Sequence, residues 1–427
     1  MIMEKNLKHI KIREPYKSVS PFLFGFYEKI KRKELGYSLD NVSKDLSISK
    51  GNLSEMENGL RIMKIEIFHR FLTRYNIEFA EDLKYLVEMR EILIQIFEAF
   101  LRFNRKKQEK VREQFESMDR SWENTSGFLI GLLIEYFIRS VLDHKSQEDV
   151  FELLVSSESC LSNDEKALLY MIRGMEGRRN TTFKNKETFF EQALNYVDEK
   201  EMNDLEALIE YYQIMDEIRS GSTFEVYTKC SQVRNKFYNS HNYIRALYLD
   251  NLEAVSITYL RAYSSAYRRF ETLLYNMEYV DDPYLRFCVV QNAILVLCVL
   301  KEYKKALEWM KKERNTFSYG LSNFVFAPYC FYMLDDLEEA NNTIKKIKPY
   351  VKDQSDQLLL NIIKYAIENN ENAFFEDSQR LLILDQKNKK QENIELTYRF
   401  MISFYKKNGI ESRQIKLQEE YISFLTR

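Results

Sequence analysis

A four-residue pattern recurs six times along this chain and restricts its fold more than any other feature: a large apolar residue, two polar ones, then a small one. It runs as Phe190-Glu-Gln-Ala193, Tyr227-Thr-Lys-Cys230, Tyr263-Ser-Ser-Ala266, Tyr303-Lys-Lys-Ala306, Leu337-Glu-Glu-Ala340 and Phe375-Glu-Asp-Ser378. The small residues are separated by 37, 36, 40, 34 and 38 positions. A small side chain at a fixed place in each unit is what two crossing helices require, because a larger one would hold their backbones apart. Helical apolar spacing before each copy predicts a partner helix, at 163–178, 204–219, 242–258, 284–300, 321–333 and 355–369. Helix pairs that repeat in this way stack, since one pair alone cannot bury its apolar face.

Composition supports an all-α chain. Of 427 residues only 11 are Gly and 5 Pro, while charged residues make up 30% and hydrophobic ones 45%. Few breakers and many helix-forming charged residues favour helices, and no strand-like alternation stands out. The repeat is close to the period of about 34 residues that marks tetratricopeptide repeats. The expected architecture is therefore an N-terminal helix-turn-helix domain (1–80), connecting helices (81–150), and a tetratricopeptide-like α-solenoid (151–427). Between Gly59 and Gly127 there is neither Gly nor Pro, so "AEDLKYLVEMREILIQIFEAFLRF" reads as one helix joining head to body without a flexible linker.

Stacked hairpins of this kind present an inner groove. Polar residues on the first helix of a hairpin are the candidates to face it: Arg245, Tyr248, Asn251 and Asn292, with Tyr329 and Asn361 as further ones. An Asn offers a donor and an acceptor to a peptide backbone, and an Arg can pair with a peptide carboxylate. A short linear peptide is the ligand such a set suits.

The head explains a polar insert, "SISKGNLSEMENG" (47–59), in a chain otherwise rich in aromatic and charged helices. Phe22, Phe26 and Ile30 repeat at helical spacing, and Gly36 ends that helix. Ser38 can cap a second helix with Leu39, Val42 and Leu46 inward. Ser49 can cap a third, with Leu53 and Met56 inward and Gly59 at its end; Ile65, Phe68 and Leu72 start a fourth. Three residues between helices two and three leave room only for an angled pair, a helix-turn-helix. The third helix would face DNA. Its free N–H groups suit a phosphate, Lys50 adds charge, Gly51 leaves space, and Asn52 matches an adenine edge. We take Ser49, Lys50, Gly51, Asn52, Glu55, Asn58 and Lys31 as the DNA-binding candidates. Charge agrees: the first 80 residues hold 15 Lys/Arg and 10 Asp/Glu within a chain of net charge −2, a basic head on an acidic body.

"RKELGYSLDNVSKDLSISKGNLSEMENG" resembles the phage-repressor-like helix-turn-helix family. Arg32, Gly36 and Ser38 fit its first half; Ser49, Leu53, Ser54, Glu57 and Gly59 fit its recognition helix. The resemblance implies an internal Arg32–Glu57 pair. Leu39 stands where the family has Gln, and Ser47 where it has the turn Gly. The whole arrangement resembles the Gram-positive peptide-pheromone receptors that include PlcR, NprR, PrgX and the Rap proteins. The C-terminal half, with "NYIRALYLDNLEAV" (242–255), "YCFYMLDDLEEANNTIKKI" (329–347) and "LLLNIIKYAIENNENAFFEDSQRLL" (358–382), is similar to phage arbitrium receptors. These resemblances imply a transcription regulator that binds a double-stranded DNA operator under the control of a short peptide, as a homodimer joined through its C-terminal helices. The alternative they leave is a Rap-like module that inhibits a partner protein.

No cofactor or metal is expected, and no enzyme. Four histidines (His9, His69, His144, His241) lie far apart, and five cysteines sit mostly in apolar runs without a CxxC pair. Gly174-Met-Glu-Gly177 lacks the Lys-Ser/Thr of a P-loop. Trp122 and Trp309 read as packing residues. The N-terminus, "MIMEKNLKHI", has charges where a signal peptide has an apolar core, so a cytoplasmic protein is expected.

Overall fold

The computed structural model describes residues 20–118, 120–179, 186–197, 203–220, 223–280, 282–313, 325–388 and 390–426. The N-terminal segment 1–19, with the expectations that rest on it, and the start of the helix expected at 321–333 lie outside the described residues. Four helices build the head: α1 (Leu23–Glu34), α2 (Leu39–Asp45), α3 (Lys50–Glu57) and α4 (Ile65–Tyr75). Then come α5 (Leu83–Leu101), α6 (Arg105–Glu116), α7 (Phe128–Phe137) and α8 (Glu148–Ser156). Successive helix pairs come next: α9 (Asn163–Arg179) and α10 (Lys186–Asn195), α11 (Asn203–Ser220) and α12 (Thr223–Asn239), α13 (Tyr243–Tyr259) and α14 (Tyr263–Asn276), α15 (Pro283–Val299) and α16 (Tyr303–Glu313). The last are α17 (Phe326–Met333) and α18 (Leu337–Ile347), α19 (Gln354–Ile367) and α20 (Glu371–Lys387), and α21 (Gln391–Lys407) and α22 (Glu411–Leu425). The described residues contain no strand, only one isolated bridge. The chain divides into two compact units, 1–213 with 235–245, and 214–234 with 246–427.

The repeat pattern falls where helix crossings need it. Ala193, Cys230, Ala266, Ala306, Ala340 and Ser378 are all fully buried. In the sixth copy the packing residue is one position off: Phe374 is fully buried, and Phe375 turns outward. The turns inside the hairpins close on left-handed residues, Arg261, Lys301, Asp335, Asn369 and Gly409, and only the last is the glycine that this conformation favours. At Lys301 the turn is held by Lys301 N–H to Cys298 O (3.1 Å) and Glu302 N–H to Leu297 O (2.9 Å). The final pair, α21 and α22, lacks the small-residue motif but continues the stack, with Phe374 against Phe404 at 4.0 Å between ring centres.

The head forms as the sequence predicts, with one shift in register. Leu23, Phe26 and Tyr27 carry the buried face of α1, while Phe22 and Ile30 are half-buried. Ser38 and Ser49 each cap their helix, accepting from Asn41 N–H and Asn52 N–H at 3.1 Å. Ser47 takes the left-handed conformation at the turn, φ 56°. At Gly25 an added Cβ would lie 2.2 Å from the carbonyl oxygen of Met56, so α1 and α3 cross backbone against backbone. The head is also fastened to the connecting helices. Ala80 pairs through its backbone with Asn124 and Ser126 (2.8 and 2.9 Å), and Tyr27 donates to Asn124 Oδ1 at 2.8 Å. The Tyr27 ring meets Phe128 of α7 edge-on at 5.2 Å.

Candidate functional site

Most candidate residues lie around α3 in the first unit and on α13 and α15 in the second; Arg245 belongs to the first unit, and Tyr329 and Asn361 lie on α17 and α19.

At α3 the cap bond from Ser49 engages the N–H of Asn52, which leaves the N–H groups of Lys50 and Gly51 pointing outward. Ser49, Lys50 and Gly51 are exposed and Asn52 is half-exposed. Nothing lies within 4 Å of a Cβ built on Gly51, so its face is open. The frame behind it is rigid. Arg32 donates to Glu57 through Nε and Nη2, both at 2.7 Å, and its Nη1 holds Tyr37 O at 2.9 Å. Glu28 is fully buried beside this pair, and burial and the neighbouring Glu57 carboxylate push its pKa up to about 9. Neither of its oxygens has a hydrogen-bond partner, so burial favours the protonated, uncharged form of Glu28.

The other three DNA candidates have work within the head. Asn58 accepts from Lys29 Nζ at 2.8 Å and donates to Ser54 O at 2.8 Å, tying α3 to α1. Lys31 donates to Glu34 at 2.9 Å and lies over the Tyr27 ring, with its side chain only 18% exposed. Glu55 pairs with Arg61 at 2.9 Å, which offsets an acidic charge next to the exposed turn.

The peptide candidates separate into a pair that meets and residues that do not. Asn292 Nδ2 donates to Asn251 Oδ1 at 3.2 Å, joining α15 to α13. The bond leaves one N–H edge on Asn251 and one carbonyl on Asn292, the complement of a peptide group. One turn earlier on α13, Tyr248 donates to Asp282 Oδ2 at 3.1 Å, and Asp282 caps α15 through Leu285 N–H. Arg245 does not join them. It is 1% exposed, donates from Nε to Leu101 O (3.0 Å) and from Nη2 to Phe100 O (3.1 Å), and lies 3.9 Å from the Phe103 ring centre. It satisfies the orphan carbonyls at the C-terminus of α5, so in this structure its charge is turned away from any peptide carboxylate. Asn361 donates to Asp377 at 3.3 Å. Tyr329 is 2% exposed, edge-on to Tyr303 and Phe400, and burial holds its hydroxyl well above the usual phenol range.

Sequence reading missed Asp356 and Asp385, which share a small pocket with Tyr329. Their spacing reads as ordinary helix-end acids, and only the fold brings α19 and α20 together. Among the described residues no group of three His, Cys, Asp or Glu side chains could hold a metal ion, and no helix is long and apolar enough to cross a membrane.

No protein-family model and no curated protein matches the chain. Solved structures do match. The chain carries the Rap and NprR fold. A Rap protein complexed with competence and sporulation factor superimposes with a TM-score of 0.62 at 14% identity, over 79% of this chain and 98% of that one. The apo form of the quorum sensor NprR from B. thuringiensis gives 0.57 at 13% identity, over 79% and 99%. Aspartyl phosphate phosphatase F from Bacillus subtilis gives 0.54 at 14%, over 80% and 94%.

Proposed function

We propose that this protein is a transcription regulator that binds double-stranded DNA through α3 and a short linear peptide through its helical repeats, and that it acts as a homodimer. The observation that carries the reading is the head: a Ser49-capped third helix with Lys50, Gly51 and Asn52 exposed at its N-terminus, braced by a bidentate Arg32–Glu57 pair. Repressor-like folds place such a helix in the major groove, and paired half-sites call for two copies. The peptide half of the reading is supported by the Asn251–Asn292 amide pair and by the shared fold. One similar structure was solved with competence and sporulation factor and another is a quorum sensor. The narrower likeness to arbitrium receptors belongs to this reading. The second reading is inhibition of a partner protein through the repeats, favoured by the overlap with Rap structures.

The test of DNA binding uses the full chain on a random-sequence duplex across a salt series. Lys50→Ala should weaken binding and lower the slope of log Kd against log salt by about one. No salt-dependent binding by wild type would leave the partner-inhibition reading in place.

A further inference from the structure

The pocket beside Tyr329 has about 20 Å³ of free space, enough for a group the size of a water molecule. Its polar wall is acidic. Asp385 is fully buried; its Oδ1 accepts from Ser355 Oγ at 2.9 Å, and its Oδ2 has no partner. Asp356, at the first turn of α19 and half-exposed, shares the pocket with Asn393 of α21. The rings of Tyr329 and Phe400 supply the apolar wall. Among the described residues, Asp353, Asp356, Asp385 and Glu392 are grouped with one cation, Lys390, whose Nζ lies 3.8 Å from Asp353. Burial, with Asp353 adding to it and Lys390 opposing it, raises both Asp356 and Asp385 to about 6.

We propose that this pocket receives a primary ammonium group. The group has three donors, which suit the free oxygen of Asp385, the carboxylate of Asp356 and the side-chain carbonyl of Asn393. A primary ammonium brings three donors on one small centre, whereas a quaternary ammonium brings none. A divalent metal lacks the ligands, since no described cluster of three such side chains could hold one. The ammonium is the amino terminus or a lysine of the peptide proposed above; for that source, though not for the pocket, the inference rests on the peptide reading.

The test melts the full chain at neutral pH with n-butylammonium, tetramethylammonium or sodium chloride at equal ionic strength. Butylammonium alone should raise the melting temperature, as a ligand of the folded state does, by a few degrees. Asp385→Asn and Asp356→Asn should each abolish the shift; Asp356 is half-exposed, so its variant serves if the buried one fails to fold. Equal shifts from all three salts, or a butylammonium shift intact in both variants, would overturn the pocket. Calorimetry then compares three hexapeptide pools: free amino termini without Lys, acetylated with one Lys, and acetylated without Lys. Binding by the first or second pool only, lost in the Asp variants, confirms the ammonium and names its source. Equal binding by all three pools overturns that source. A butylammonium shift with no pool bound upholds the pocket and sinks the peptide reading.

Discussion

Glu28→Gln should make the head more stable, although it removes a charged residue type from a charge cluster. Glu28 is fully buried and its pKa is pushed up to about 9, against an ordinary value near 4.5 in the unfolded chain. An acid whose folded pKa is raised contributes stability that is present below the unfolded value and lost as pH climbs toward the folded one. The loss therefore accumulates between about pH 4.5 and 9. At pH 7 the gap to the unfolded pKa is about 2.5 units, and at about 1.4 kcal/mol per unit the cost is roughly 3 kcal/mol. Gln has nearly the same shape and is neutral in both states. It escapes the cost, less whatever its amide group loses by burial. Hydrogen exchange read by mass spectrometry on peptides from α1 and α3 should show opening slowed on the order of 100-fold at pH 7. The gain should shrink to little at pH 5. A variant no more protected than wild type at pH 7, or a gain that does not change with pH, would mean that Glu28 is not held protonated.

Three further outcomes are expected. Arg32→Met should destabilise the head by roughly 3 kcal/mol or more, because it leaves Glu57 buried without its partner, whereas Arg32→Met with Glu57→Leu should cost less; exchange of the same peptides compares them. Lys301→Gly should raise the urea midpoint, by about 1 kcal/mol of stability, because the backbone there has a φ of 65° that costs a non-glycine residue this much. Asn251→Ala and Asn292→Ala should each weaken peptide binding by about 1–3 kcal/mol through the group left unpaired, measured by calorimetry with peptides encoded by small reading frames beside the gene. Unchanged affinity in both would take the amide pair out of the site.

Much of the fold was legible because its rules are local. A small residue every 34 to 40 positions marks a helix crossing, and Ala306 and Ala340 are buried as that rule requires. Ser38, Ser49, Gly36 and Gly59 announce the head's helix ends by capping chemistry alone. What escaped depends on partners distant in sequence. Arg245 has the same helical position whether it faces a groove or caps α5, and its bonds to Phe100 and Leu101 span more than a hundred residues. The partners of Asn58 and Lys31 are not visible in sequence either, because Lys29 and the Tyr27 ring, which engage them, belong to another helix or another turn. The hairpin turns were under-read for a related reason. Lys301, Asp335 and Asn369 adopt the left-handed conformation without the glycine that would signal it. Glu28 could have been suspected, since it sits one position after Tyr27 on the buried stripe of α1, yet sequence gives no sign that a proton accompanies it.

The backbone bridge from Ala80 to the Asn124–Ser126 turn, with Tyr27 bonded to Asn124, fastens the four-helix head to the connecting segment at two points. Such a head has no hinge of its own. It can be carried, but it cannot be unlatched by a ligand that leaves α5 to α7 where they are. In the DNA-binding dimer proposed above, control of α3 would then be a matter of aim: the same surface, held at the right or the wrong separation from that of a second copy. If that proposal holds, a graft that replaced residues 77–82 with a glycine-rich tether would turn aiming into dangling: each head would keep its affinity for one half-site and lose any dependence on what the repeats hold.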